Sequence, residues 1–434
     1  MLKQPQNPYL EGNYAPVTDQ LFTETLKVKG DIPSDLNGLL VRNGPNPLKA
    51  PNPKRHHWFV GDGMLHGVRI SEGRPAWYRN QTVMANKSSP NTHVIGHAGN
   101  IYALVEAGGD PVMIDAELNS LSRAPFDATL KRGFSAHTKF EAATGSLHAI
   151  CYDFKRGYRA SYLEIAADNT VKQHHELDLP GQPMIHDCAI TDQYVIVFDL
   201  PVTFSLSRML RRYFPFAWNS KHQARIGLLN RHQPDEAIRW FEIAPCYIFH
   251  PQNAFEDDQG RVTLEGMRYE RIFDRVKIGP FGESLPYLTR WTLDPASGDT
   301  SEQQVDDHPA EFPRVHPAME GKPTQYGYAL GLASDPNATN FNQIIKYHRD
   351  NDRAERHNLS ASQMAGEPIF VPAAGAASED DGYLLSFVYD QSTNASSIMI
   401  LDAQNVAAAP IGEIELPQRV PFGFHGSWIP GPSQ

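Results

Sequence analysis

Along most of this chain, β-branched and aromatic residues gather in short runs separated by polar breaks that carry glycine and proline. NIYALVEA (100–107), SLHAICYDF (146–154), YVIVFDL (194–200), RVTLEGM (261–267), YLTRWTLD (287–294), YGYALGLA (326–333), GYLLSFVYD (382–390) and SSIMILD (396–402) have the length and composition of strands. EAATGS (141–146) and DPASGD (294–299) supply hairpin-type turns. The pattern predicts an antiparallel all-β protein, and the 32 Gly and 34 Pro agree because both residues serve turns. No fixed-period motif recurs, so a WD-type repeat is not supported. A propeller or large barrel is the natural way to bring distant strands onto one axis, but periodicity alone does not separate a propeller from a sandwich. No low-complexity linker divides the sequence, and all-β folds can exceed the usual domain length, so residues 1–434 are expected to form a single domain.

One segment departs from the strand pattern. Residues 203–218, TFSLSRMLRRYFPFAW, mix apolar side chains with Arg208, Arg211 and Arg212. The early part predicts a short amphipathic helix stopped near Pro215. Aromatics beside arginines suit a membrane interface, with Phe214 and Phe216 as the apolar contact, and equally suit a loop packed onto the body.

Composition narrows the class. At 41% hydrophobic and 21% charged residues, the chain can bury a large core and is not disordered. A net charge of −11 argues against nucleic-acid binding, because no overall basic field would attract phosphates. Cys151, Cys188 and Cys246 are odd in number and lack CxxC spacing, which speaks against a disulfide framework or thiolate zinc site. The opening MLKQPQNPYLEGNYAP has no apolar signal core, and no run approaches the ~20 apolar residues of a membrane span. The expected location is the cytoplasm, with peripheral membrane contact through 203–218 as an option.

Four histidines carry the candidate chemistry: His137 in FSAHTKF, His186 in MIHDCAIT, His250 in YIFHPQNAFE and His425 in PFGFHGSW. Each sits in or beside an apolar or aromatic segment. A lone histidine in such a place is more often a hydrogen-bonded core residue than a ligand. Imidazole is nevertheless the commonest metal ligand among side chains and suits zinc, copper, iron and nickel. A metal held only by neutral nitrogens keeps its full positive charge, which favours oxygen or electron chemistry over structural clamping. Separations of 49, 64 and 175 residues exclude a local finger, so only a whole fold could bring the four together.

The ordered motifs LNGLLVRNGPNP (36–47), HWFVGDGMLHG (57–67), NTHVIGHAGNIYALVEAGG (91–109), HDCAIT (186–191), FHPQNAFE (249–256), EFPRV (311–315), GEPIFVP (366–372), EDDGYLLSFVYD (379–390) and RVPFGFHGSW (419–428) resemble the carotenoid cleavage oxygenase family from about residue 35 onward. The resemblance implies a seven-bladed β-propeller with loops and short helices capping one face. It implies non-haem Fe(II) on the axis, bound by His137, His186, His250 and His425. It also implies that Glu106, Glu311 and Glu367 receive the outer N–H of His186, His250 and His425, leaving His137 without a carboxylate. A carboxylate in that position fixes the imidazole tautomer and raises its basicity. Three such anions would also offset the dication in a low-dielectric interior. The remaining histidines, including His97 and the pairs His56–His57 and His174–His175, are expected to be structural or superficial.

Four histidines on an octahedral iron leave two positions for dioxygen, and the implied reaction is oxidative scission of one C=C bond into two carbonyls. An electron-rich alkene supplies the electrons, so no reductant is demanded, and no GxGxxG element opens a helix. Thr92 in NTHV matches a family threonine near an open coordination site. Relatives that cleave phenolic stilbenes tend to carry lysine directly before the first of the three glutamates, whereas this chain has Val105. Val105, with Phe249 beside His250, is expected to line a tunnel for an apolar polyene, a carotenoid or apocarotenoid, with stilbenes and phenylpropenoids as the alternative. Val60 departs from the family's WFDGDGM, where an acid stands, and puts local loop packing in question. A non-oxidative isomerohydrolase, a hydrolase using another metal and a non-catalytic interaction propeller are the rival classes.

Overall fold

The apolar runs become strands buried on both faces. Tyr194–Asp199 is covered at every position after the first, and Ala395–Asp402 at every position between its ends. A strand of that kind needs another sheet above and below it. Strands farther out in the same sheets are polar, and Thr300–Gln304 is exposed throughout. This gradient from covered to wet within each sheet is what radial stacking of sheets around an axis demands.

The computed structural model describes residues 7–84, 89–154, 157–335 and 339–431. Its sheets form a seven-bladed β-propeller. Named by their innermost strands, blade 1 starts at Gly426–Pro430, blade 2 at His93–His97, blade 3 at Lys139–Glu141 and blade 4 at Ala189–Ile190. Blade 5 starts at Tyr247–Glu256, blade 6 at Ala310–Arg314, and blade 7 at Gln363–Ala365 and Ile369–Pro372, which share a neighbour. The predicted turns at 141–146 and 294–299 join paired strands of blades 3 and 5.

The core lies in the seams between blades. Leu40, Val68 and Ile70 of blade 1 pack on Leu385, Ile398 and Ile400 of blade 7. Tyr102 and Leu104 of blade 2 pack on Leu147, Ala149 and Leu163 of blade 3. The ring is closed twice by the chain ends. Gly426–Pro430 pairs with Gly38–Pro45 inside blade 1, while Lys27–Gly30 pairs with Gly412–Glu415 at the outer edge of blade 7.

The segment 203–218 differs from its prediction. Its helix spans only Leu206–Leu210, capped by Ser205, because Val202–Phe204 and Phe216–Trp218 pair as a hairpin and pull the chain back well before Pro215 would stop it. Phe216 is buried and Phe214 turns inward, so neither is the outward apolar contact expected of it. The exposed apolar side chains are Leu206, Met209 and Leu210. Arg208 folds back under the helix and donates to the carbonyls of Phe216, Phe273 and Asp274. Among the described residues, no helix is long and apolar enough to cross a membrane.

Candidate metal centre and cavity

Every blade delivers a group to the axis from its innermost strand or the residues just ahead of it. His137, His186 and His425 precede the inner strands of blades 3, 4 and 1, and His250 lies within that of blade 5. Glu311 lies in the inner strand of blade 6, Glu367 between the two inner strands of blade 7, and Thr92 directly ahead of blade 2. Irregularities aim these side chains. The strand register shifts around His250 at Pro251, which cannot donate to the ladder, and again after Glu311, where Phe312 has φ +54°. Glu106 stands on the turn after Asn100–Leu104. There Gly133 packs so closely that a Cβ would come within 2.1 Å of the Gly108 backbone, so the strand toward His137 can press against this turn.

The four histidines are buried and meet, with one ring nitrogen of each within 4.8 Å of the others. His250 Nδ1 donates to Glu311 Oε2 at 2.6 Å and His425 Nδ1 to Glu367 Oε1 at 2.9 Å. His186 Nδ1 lies 2.8 Å from Glu106 Oε1, off the axis of an ideal hydrogen bond. Among the described residues, no carboxylate lies within hydrogen-bonding distance of His137. Glu106 Oε1 is 3.6 Å from its Nε2, and Asp187 Oδ2, paired with Lys139 Nζ at 2.9 Å, is 3.9 Å from its Nδ1.

The donor set fits a metal. With Nδ1–H facing carboxylates on His186 and His250, each Nε2 carries a lone pair, and these two atoms face one another at 3.0 Å. Two lone pairs converging on one space call for a cation. Ligands about 2.1 Å from a first-row metal and at right angles would lie about 3.0 Å apart, which matches. His137 Nε2 is likewise buried without a hydrogen-bond partner. Burial, then the neighbouring histidines, hold His137 well below the usual imidazole range. Burial lowers His425 to about 3 against the pull of Glu367. Burial would lower His250 too, but Glu311 overrides it and the net shift is upward.

The three glutamates are not equivalent. Arg314 grips Glu367 through Nε at 2.8 Å and Nη2 at 2.9 Å, and Gly426 N adds a bond at 3.0 Å. Burial would raise the Glu367 carboxyl, but Arg314 and then His425 keep it well below its ordinary range. Among the described residues, the other oxygen of Glu106 meets a phenol, Tyr152 Oη, at 3.5 Å. Arg314 was visible in EFPRV but carried no signal of this role, and neither did Asn91 and His93 on either side of Thr92. His93 is a further buried histidine beside the four, its ring centroid 5.2 Å from that of His425, with Nδ1 bonded to Ala136 O at 3.0 Å. His97 bonds Ala166 O, a structural contact.

Over the cluster lies a cavity of about 250 Å³. His186, His250, His425, Thr92, Glu106 and Glu311 form its floor, and Trp58, Phe59, Phe214, Phe249, Phe312 and Phe424 are among its walls. Val105 and Phe249 both line it, and Val60 lies at its rim, 56% exposed. The hairpin of 203–218 supplies Phe214, Pro215 and Phe216 to the same wall. His57 stacks on Phe214 at 4.1 Å and backs this wall from outside.

The family described as retinal pigment epithelial membrane protein matches residues 14–87 and 80–430. The chain is 35% identical to a carotenoid cleavage oxygenase of Mycobacterium tuberculosis, covering 98% of each chain. It is 31% identical to carotenoid 9,10(9',10')-cleavage dioxygenase 1 of Arabidopsis thaliana, over 97% of this chain and 89% of that one. Among solved structures, cobalt-substituted Synechocystis ACO superposes with a TM-score of 0.88 at 25% identity, covering 96% of this chain and 97% of that one. The lignostilbene dioxygenase of Pseudomonas brassicacearum superposes with a TM-score of 0.89 at 25% identity, covering 99% and 100%. With near-complete coverage by sequence and by fold, and with a buried histidine cluster at the propeller axis, the chain belongs to the carotenoid cleavage oxygenase family, that of the retinal pigment epithelial membrane protein.

Proposed function

We propose that this enzyme is a non-haem Fe(II) dioxygenase that cleaves one C=C bond of a carotenoid or apocarotenoid with dioxygen, yielding two carbonyl products. The observation that carries this reading is the convergence of four histidine nitrogens within 4.8 Å beneath an aromatic cavity. His137, His186, His250 and His425 would hold Fe(II), and the metal would supply dioxygen activation when bound. Glu106, Glu311 and Glu367 orient three of the rings and balance charge. Both oxygen atoms end in the products, so no external reductant is required.

The chain's own residues supply binding and exclusion of water. Phe249, Phe59 and Phe424 offer apolar faces along which a polyene can lie. Val105 offers no hydrogen bond where a phenol would need one, which favours a polyene over a stilbene. Thr92, on the cavity floor, restricts where small ligands approach the metal. Residues 1–434 act as one domain, and the helix Leu206–Leu210 with Arg211 and Arg212 suits peripheral docking on a membrane.

Anaerobic reconstitution with Fe(II), followed by mass analysis of products from carotenoids, apocarotenoids and hydroxystilbenes under labelled dioxygen, tests the reading. Label in both carbonyl products of a polyene is the expected result. Label-free products would favour an isomerohydrolase, cleavage confined to stilbenes would replace the substrate, and a His250→Ala protein that retains iron and turnover would overturn the metal assignment.

A further inference from the structure

Asn91 stands directly before Thr92, lines the cavity and is 5% exposed. Its carboxamide is engaged at both ends. Nδ2 donates to the carbonyl of Phe59 at 3.1 Å and to that of Gly61 at 3.0 Å. Oδ1 accepts the hydroxyl of Thr92 at 3.0 Å. Because both partners of Nδ2 are carbonyls, the orientation of the amide is set by its contacts, and only an acceptor remains for Thr92. Thr92 must then be the donor. Its backbone is tied as well, with N donating to Leu104 O at 3.0 Å and O accepting from His425 N at 3.1 Å. One dipeptide therefore joins the rim loop 59–61, the threonine on the cavity floor and the backbone of a histidine in the cluster.

We infer that Asn91 is a positioning residue. It commits the Thr92 hydroxyl proton away from the cavity, holds that side chain in one rotamer beside the histidine cluster, and makes the rotamer depend on how the rim loop is seated. A threonine with its proton so engaged cannot donate to a ligand beside it, and a substrate that moves Phe59 or Val60 pulls on the same amide. The inference rests on the reading of Thr92 as a neighbour of the metal's open positions.

Three substitutions separate the parts. Asn91→Ala removes both arms, Asn91→Asp keeps the acceptor for Thr92 but cannot donate to the Phe59 and Gly61 carbonyls, and Thr92→Val removes the hydroxyl while keeping the shape. The probe is nitric oxide added anaerobically to the Fe(II)-loaded enzyme, read by electron paramagnetic resonance and by its affinity, with metal content measured in parallel. Asn91→Ala is expected to change nitric oxide affinity about five-fold, the scale of one neutral hydrogen bond, and to split one signal into two. In a Thr92→Val background it should change neither. Asn91→Asp should keep the single signal while raising KM for the polyene more than it lowers kcat. An unchanged signal and affinity in Asn91→Ala, or the same change with valine at 92, would overturn the inference. If Asn91→Ala does not fold, an unchanged KM in Asn91→Asp overturns the rim-loop arm. Should Thr92→Val and Thr92→Ala themselves leave nitric oxide binding untouched, the reading of Thr92 fails; should they shift it while Asn91→Ala does not, only the role of Asn91 fails.

Discussion

Glu367 and Glu106 face the Nδ1 of different histidines in different electrostatic settings. Arg314 neutralises Glu367, so Glu367→Gln leaves a guanidinium facing a buried amide. We expect that change to weaken iron binding about 10- to 100-fold, the usual scale for a partner of a ligating histidine, and to lower stability by roughly 3 kcal/mol, the low end for breaking a buried ion pair because Arg314 is partly exposed. Among the described residues, Glu106 has Tyr152 and the histidines beside it and no cation. Glu106→Gln is expected to weaken iron binding on a similar scale with little loss of stability. Iron retained after dialysis and the urea midpoint of the metal-free protein measure the two effects separately; equal stability losses would contradict this account. The glutamates and Arg314 were all present in quoted motifs, yet nothing in their spacing along the chain indicated that one carboxylate would be charge-compensated and another not. That difference arises because Arg314 leaves a bulge beside Glu311 and crosses to the next blade.

At the level of elements, the seam between blades 3 and 4 holds a buried ionic group. Arg231, just beyond a blade 4 strand, donates to Glu141 and lies 3.2 Å from His148 Nε2, both of blade 3. Burial opposes the charge on Glu141, but the bonds from Arg231 and Thr144 hold its carboxyl at about 2. Burial and then Arg231 hold His148 at about 4. The two signs agree. His148 stays neutral when folded while the unfolded chain takes up a proton, so stability falls as pH drops from about 6.5 to 4. The Glu141 contribution is present above its unfolded value near 4.5 and is lost toward 2. Urea midpoints across pH should show Glu141→Gln costing stability at pH 6 and progressively less below 4.5; a difference independent of pH would remove Glu141 from the explanation. The helix Leu206–Leu210 makes a separate prediction. Leu210→Asp with Met209→Asp should reduce binding to anionic liposomes while the urea midpoint stays within about 0.5 kcal/mol of wild type, as for most surface changes. Equal liposome binding would remove the docking role. Phe214→Ser, in contrast, belongs to the cavity wall and should act on substrate KM.

For the whole molecule, closure decides whether seven sheets become one body. The final strand Gly426–Pro430 pairs with Gly38–Pro45 and follows His425 directly, so ring closure and completion of the histidine cluster are the same event. A chain ending at His425 keeps all four histidines but loses the inner strand of blade 1, and is expected to lose its cooperative thermal transition and its capacity to retain added Fe(II) together. Retention of either by the shortened chain would show that closure through this strand is dispensable.

What the sequence determined by itself was local and chemical. Short runs of β-branched and aromatic residues between glycine and proline turns specified antiparallel strands, because strand and turn preferences act over a few residues. The residue types needed at an axis, four histidines and three glutamates, were legible only as motifs in a known order; their spacing alone excluded a local site and said no more. The tertiary structure decided the rest, since contacts between blades join residues hundreds of positions apart. It turned Phe214 and Phe216 inward, left Leu206, Met209 and Leu210 in water, set Arg314 on one glutamate, and engaged the hydroxyl of Thr92 through Asn91. Such choices depend on distances across the ring, and those exist only once it has closed.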